Sequence, residues 1–342
     1  MKINFLFAAA AVAALALSCK DATIVTTEEQ QTATLCVNVS TPGTKALIAS
    51  DNTDDMTFHN VQIFVYDKAG QLEKSSGILT YQDDIVLAVI PGSKTVWAVV
   101  NAPSALQAPE SLEGFPLMSS ALGDNTLTSL VMSGEASVDV VTSANVSITV
   151  KHIASKIIID SITRSFVNEA YSEVPLEIKR IYMSNVAADC DFGCTGAGPS
   201  EWLCKQGVFD AEGSAASLLL DDGIDFDLPE GQAYETAHTF YVYPNPVTAD
   251  SDAAEWSPRK TRLVIECVYN DQVCYYPVTI SGGETSGTID RNKVYHIRSL
   301  TLTRPGSTNP DSKEPEVSSL KDCTFSVEIA DWEYETAYSE TF

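Results

Sequence analysis

Thiols, imidazoles and clustered carboxylates are the groups of this chain that could do chemistry, and their spacing leads away from catalysis. Eight cysteines are present. Cys190-x3-Cys194-x9-Cys204 could open a zinc site, but no further ligand follows at a zinc-like spacing, and disulfide chemistry is the better reading. In Cys267-Val-Tyr-Asn270-Asp271-Gln-Val-Cys274, a two-residue turn at Asn270-Asp271 sets Cys267 opposite Cys274 across a hairpin, at a separation a disulfide can span. With Cys323 included, connectivity among these cysteines stays open. Asp221-Asp222-Gly-Ile-Asp225-Phe-Asp227 gathers carboxylates without the spacing of an EF-hand loop, so it reads as a solvated loop. The histidines His59, His152, His238 and His296 each fall in or beside an expected strand, where packing explains them. No nucleophile elbow, paired-histidine metal motif or phosphate-cradling glycine loop is present. The expectation is a protein that is not an enzyme and needs no cofactor or metal.

The remaining chemistry is that of processing. Lys2 followed by the apolar run Phe5 to Leu17 makes a secretory signal peptide, too short for a membrane-spanning helix of about 20 apolar residues. It ends Leu15-Ala16-Leu17-Ser18-Cys19, which resembles the bacterial lipobox, so Cys19 is the expected lipidation site and new N-terminus. Lys20-Asp21 resembles a short signal for the outer face of the outer membrane. Farther on, Leu35, Val37 and Val39 alternate with Thr34, Cys36, Asn38 and Ser40, the period of a strand with one buried face. Pro42-Gly43 breaks it. Lys45-Ala46 then lies in an exposed Thr/Pro/Gly/Thr context where a trypsin-like protease could draw extended backbone into its cleft. From these residues alone, an ordinary first strand followed by a loop is the favoured reading.

Length and charge bound the rest. The chain has 342 residues, 44% of them hydrophobic, enough for two domains with cores of their own after the leader. A formal charge of −25 repels nucleic acid and suits a solvated surface protein.

Positioning falls to strands. Val61–Tyr66, Ile85–Ile90, Thr95–Val100, Ala136–Val141 and Asn145–Lys151 are short, β-branched or aromatic, and bounded by Gly, Pro, Asn or Asp. Asn101 to Ala121 is richer in Leu, Ala and Pro and predicts a short helix. A second block repeats the grammar at Lys156–Asp160, Leu176–Met183, Thr239–Tyr243, Leu263–Tyr269 and Asn292–Thr303. Ala187 to Ala233 reads as an irregular Cys/Gly/Asp-rich insertion of surface loops. The expected fold is all-β: two tandem β-sandwiches of transthyretin-like, Greek-key kind, with short helices in the connections. The expected division is signal peptide 1–18, propeptide 19–45, N-terminal sandwich 46–151 and C-terminal sandwich 152–342. The last ends in an alternating tail, 323–342, with no partner after it.

In order and spacing, several short pieces resemble the fimbrillin family of Gram-negative surface pili, the type V pilins. They are the lipobox at Cys19, Thr44-Lys45-Ala46, Ile63–Gly70, Lys94–Pro103, His152-Ile-Ala-Ser-Lys156, Phe240–Tyr243, Arg291–Tyr295 and Ile329–Trp332. The chain departs from the family at Lys45, where Arg is frequent, at Pro244, and in the Cys-rich insertion. The resemblance implies a lipoprotein precursor of the outer membrane whose mature form is extracellular, in fimbriae that support adhesion and biofilm. A trypsin-like protease would cut after Lys45 and the strand carrying Leu35, Val37 and Val39 would leave. The groove would then take a donor strand from a neighbouring copy or related pilin, drawn from Phe325, Val327, Ile329, Trp332, Tyr334 and Tyr338. A surface ligand on a host or another bacterium is a further implied partner. A tip or anchor adhesin, a monomeric surface lipoprotein binding a glycan or host protein, and a secreted hydrolase are the alternatives.

Overall fold

In the computed structural model, residues 32–42, 53–196, 198–251, 255–280, 288–313 and 323–332 are described. Cys19, Lys45, Ala46, Tyr334 and Tyr338 lie outside them. The described residues form one compact unit.

Alternation along short β-branched segments gives sheets that stack on their apolar faces. A three-stranded sheet has the order Ile85–Val89, Ala33–Ser40, Ser143–Thr149. It faces a six-stranded sheet built on Met132–Val140, Gly92–Val100 and Asn60–Tyr66. Between them lies a core of Leu35, Val37, Val39, Ile85, Leu87, Val89, Val146 and Ile148 against Val61, Ile63, Val65, Val96, Ala98 and Val100. The opposite face of the larger sheet is buried too: Phe64, Tyr66, Trp97 and Val99 join the second, larger core. Two-sided burial explains why Val-Gln-Ile-Phe-Val-Tyr and Val-Trp-Ala-Val-Val run apolar almost without alternation. The expected helix in the Asn101–Ala121 stretch is a 3₁₀ turn, Leu112–Leu117. It drives Phe115 into that second face, its ring centroid 4.9 Å from Phe64 and 5.0 Å from Trp97.

The second half is also all-β, with one correction to its strands. The run expected as a single strand, Asn292–Thr303, divides into Lys293–Ile297 and Leu300–Leu302. Its parallel neighbours Ser155–Ile159 and Ile162–Arg164 divide at the same level, so the pair leaves one four-stranded sheet and enters another in unbroken register. Polar dipeptides, Asp160-Ser161 and Arg298-Ser299, make the corner, and Asp160 N–H to Ile297 O (2.9 Å) and Leu300 N–H to Ser161 O (3.0 Å) carry the ladder across it. The hairpin Arg262–Tyr269/Gln272–Thr279 turns at Asn270 (φ 50°) and Asp271 (φ 58°), the left-handed pair that a two-residue turn with the strands' twist requires.

The insertion Ala187–Ala233 is more than surface loops. It supplies Phe192, Leu218, Leu219 and Leu228 to the second core, and a short helix, Gly213–Leu219, turns two of these inward. Composition hid this, because scattered apolar residues without a period give no sheet or helix signal.

Candidate functional site

The first strand, Ala33–Ser40, is the middle strand of its sheet. It runs antiparallel to Ile85–Val89, with Leu35 opposite Leu87 and Val37 opposite Ile85. On its other side it runs parallel to Ser143–Thr149, from Thr34 opposite Ser143 to Ser40 opposite Thr149. Period two sends Ala33, Leu35, Val37 and Val39 into the core, all at most 4% exposed, while Thr34, Cys36 and Asn38 face outward. The ladder is closed at both ends by Thr34 N–H to Thr142 O (3.0 Å) and Val150 N–H to Ser40 O (2.9 Å). Tyr81 donates its hydroxyl to Val39 O at 3.0 Å and Asn38 its amide to Asp83 O at 2.9 Å. Both flanking strands therefore take their ladders from the first strand, and its departure would leave two edges and an open apolar floor.

At Thr53–Met56, a single 3₁₀ turn, the chain is fastened deep in the molecule. Asp55 is 1% exposed, with one carboxylate oxygen 2.6 Å from the Lys156 ammonium and the other accepting the Tyr241 hydroxyl at 2.5 Å. Its backbone carbonyl accepts from His152 Nε2 at 2.9 Å, so the neutral ring carries its proton on that nitrogen. Burial is the first cause that lowers the His152 pKa to about 4. An enclosed amine and carboxylate survive so far from water only by pairing with each other and with the tyrosine.

Closing this cluster from the other end of the chain is Trp332, 3% exposed. Its ring stacks on His152 at 3.9 Å and 12° and lies 5.9 Å from Tyr241, with the Lys156 ammonium 5.8 Å from its centre. Of the residues expected to form the donor, the structure places Cys323–Phe325 beside Leu300–Leu302 and Glu328–Asp331 beside Lys293–Ile297. Both are outermost strands in their sheets, each held by a ladder on one side. Ile329 is 39% exposed and Val327 half-buried against the second core. Donation to another molecule would thus require these strands and Trp332 to detach from their own sheets.

The expected pair Cys267 and Cys274 do face each other across the hairpin, both buried, but no disulfide joins them. His238 and His296 sit beside Asp221 (2.5 Å) and Asp160 (2.8 Å), partners invisible to sequence spacing. Among the described residues, no group of three or more His, Cys, Asp or Glu side chains is gathered as for a metal, and no helix is long and apolar enough to cross a membrane. Sequence reasoning missed Asp55 altogether. Its only signal is the lysine it needs, 101 residues away.

No family model and no curated protein matches the sequence. Solved structures do. A candidate cell adhesion protein from Bacteroides eggerthii superposes with a TM-score of 0.67 at 19% identity, over 88% of this chain and 96% of that one. FimA, a fimbrilin from Porphyromonas gingivalis, gives 0.60 at 19% identity, over 89% and 98%. The chain has the fimbrilin fold. A candidate cell adhesion protein of Parabacteroides distasonis shares that fimbrilin fold, at 0.62 and 15% identity over 88% and 97%. In this chain the fimbrilin fold places the first strand, the buried Asp55 cluster and the terminal strands as described above.

Proposed function

We propose that the protein is a structural subunit of a cell-surface fimbria, exported as a lipoprotein through Cys19 and polymerised by strand exchange after cleavage at Lys45-Ala46. The observation that carries this is topological. The first strand is the central strand of its sheet, yet its covalent link to the rest of the fold is the stretch 41–59, which contains Lys45 and is pinned beyond it by Asp55. A cut there leaves the strand held by non-covalent contacts alone. Losing Leu35, Val37 and Val39 would uncover apolar sites worth about 1.5–3 kcal/mol each, so an emptied groove favours a substitute of the same period.

The terminal segment offers one. Phe325, Val327 and Ile329 repeat the i, i+2, i+4 spacing of Leu35, Val37 and Val39; Phe325 and Ile329 sit on two strands at sheet edges, and Val327 lies in the break between them. Farther toward the C-terminus the sequence alternates in the opposite phase, with Trp332, Tyr334 and Tyr338 on one parity. Main-chain ladders would supply strength and the alternate side chains register, and head-to-tail repetition without closure builds a filament. Other copies and related pilins are the partners, and adhesion the task.

The test is N-terminal sequencing of protein recovered from the cell surface, beside a denaturing gel of unheated and heated samples. A start at Ala46 with a heat-labile ladder is expected. A lipidated start at Cys19 with a single band would overturn the assembly reading and leave a monomeric surface lipoprotein.

A further inference from the structure

In the insertion, outside the groove, Cys190 Sγ lies 3.5 Å from Cys194 Sγ. Both thiols are half-buried at the edge of a cavity of about 310 Å³, with Arg291 on the same wall. The turn between them is already set. The Asp191 carbonyl accepts the Cys194 N–H at 3.1 Å and both thiols at 3.4 Å, while its carboxylate holds the Thr195 N–H at 2.9 Å and hydroxyl at 2.8 Å. Cys194 is held at φ 47°, a left-handed conformation that L-residues other than Asn or Asp seldom adopt, and this turns its side chain back toward Cys190.

This loop also joins the halves of the chain. Asp189–Asp191 forms a ladder with Ser119–Ala121, and Phe192 is buried against Phe115. The Phe192 N–H donates to Met118 O at 2.8 Å and the Gly193 N–H to Pro116 O at 2.9 Å. The Phe192 carbonyl accepts from Ser133 Oγ at 2.8 Å and Arg291 at 3.2 Å, and Arg291 also reaches His152 O and Lys151 O at 3.1 and 2.8 Å. Anything that stiffens Cys190–Cys194 stiffens the seam between the two cores.

We propose that Cys190 and Cys194 close into a disulfide in the exported protein and that this bond clamps the seam. The sulfurs must approach by about 1.5 Å to reach bonding distance, a side-chain adjustment within a turn that is already formed. The hydrogen bond from Cys190 lowers the Cys194 thiol, as does Arg291, whereas the same hydrogen bond and burial raise Cys190, which makes Cys194 the attacking sulfur. The oxidant is a disulfide, of a small thiol or of an exported oxidoreductase. The Cys194 thiolate attacks it, expelling one thiolate; the Cys190 thiol then loses its proton and attacks Cys194 Sγ, expelling nothing further from the protein and releasing the second half of the oxidant as thiolate. Two protein thiols are oxidised, one disulfide is reduced to two thiols, and the proton count closes. The other thiols are placed differently: Cys204 is fully buried with its N–H on Asp210, and Cys267 stands opposite Cys274.

The experiment takes protein from the cell envelope, alkylates it in denaturant without reductant, and maps the tryptic fragment Ile181–Lys205. We expect a fragment two hydrogens lighter with its single label on Cys204, and three labels after reduction. Labels on Cys190 and Cys194 without reductant, or a link from either to another cysteine, would overturn the proposal. For the clamp, dithiothreitol should raise protease nicking within residues 189–200 several-fold in the wild type and leave the Cys190→Ser, Cys194→Ser double variant unchanged. Equal nicking before and after reduction in the wild type would refute it.

Discussion

Substituting Leu35 by Ala separates the precursor from the polymer. Leu35 is fully buried between the two sheets of the first core, opposite Leu87, and truncating such a side chain costs about 2–5 kcal/mol, the transfer of its methyl groups plus the cavity left behind. In an uncleaved precursor, kept so by Lys45→Ala, the Leu35→Ala change should lower the urea-unfolding free energy by that amount. A loss of 2.8 kcal/mol would correspond to about a hundredfold in the folding equilibrium. Thr34→Ala is the control: an outward-facing site one residue away, expected within about 0.5 kcal/mol of the parent. If assembly removes the first strand, as proposed, polymers grown from Leu35→Ala subunits should melt at the temperature of the parent polymer. If the polymer loses stability in step with the precursor, the strand is still in place after assembly and the exchange argument fails. An unaffected precursor would instead refute the packing argument.

Two other predictions concern the buried cluster. His152 has a folded pKa of about 4 against the usual 6.5, so the unfolded chain binds the extra proton between those values and stability falls as pH drops from about 6.5 to 4, by about 3 kcal/mol in full. Urea titrations across that window should show the slope, and His152→Gln should flatten it. Trp332→Ala should cost about 3–5 kcal/mol and loosen the two edge strands it secures, seen as faster C-terminal trimming by a protease, with the first core unaffected; undiminished resistance to trimming would show that the ladders alone hold the tail.

Much of this molecule could be read from local pattern. The alternation of Leu35, Val37 and Val39 announced a strand with one buried face, and Asn270-Asp271 announced the hairpin and its register, because side-chain period and turn backbone are properties of a few consecutive residues. Fold class followed from the repetition of such segments, and the processing proposed at Cys19 and Lys45 was read from short linear motifs. Period says that a face is buried but not against what. Only the tertiary structure decided that the first strand lies between residues 85–89 and 143–149, parallel to the second of these, or that Asp55 finds Lys156 beneath Trp332. The same holds for Asp189–Cys194, which returns from the second half of the chain to pair with the first. These contacts join segments whose separation carries no local signature, and each is selected by the burial and pairing free energy of the whole fold.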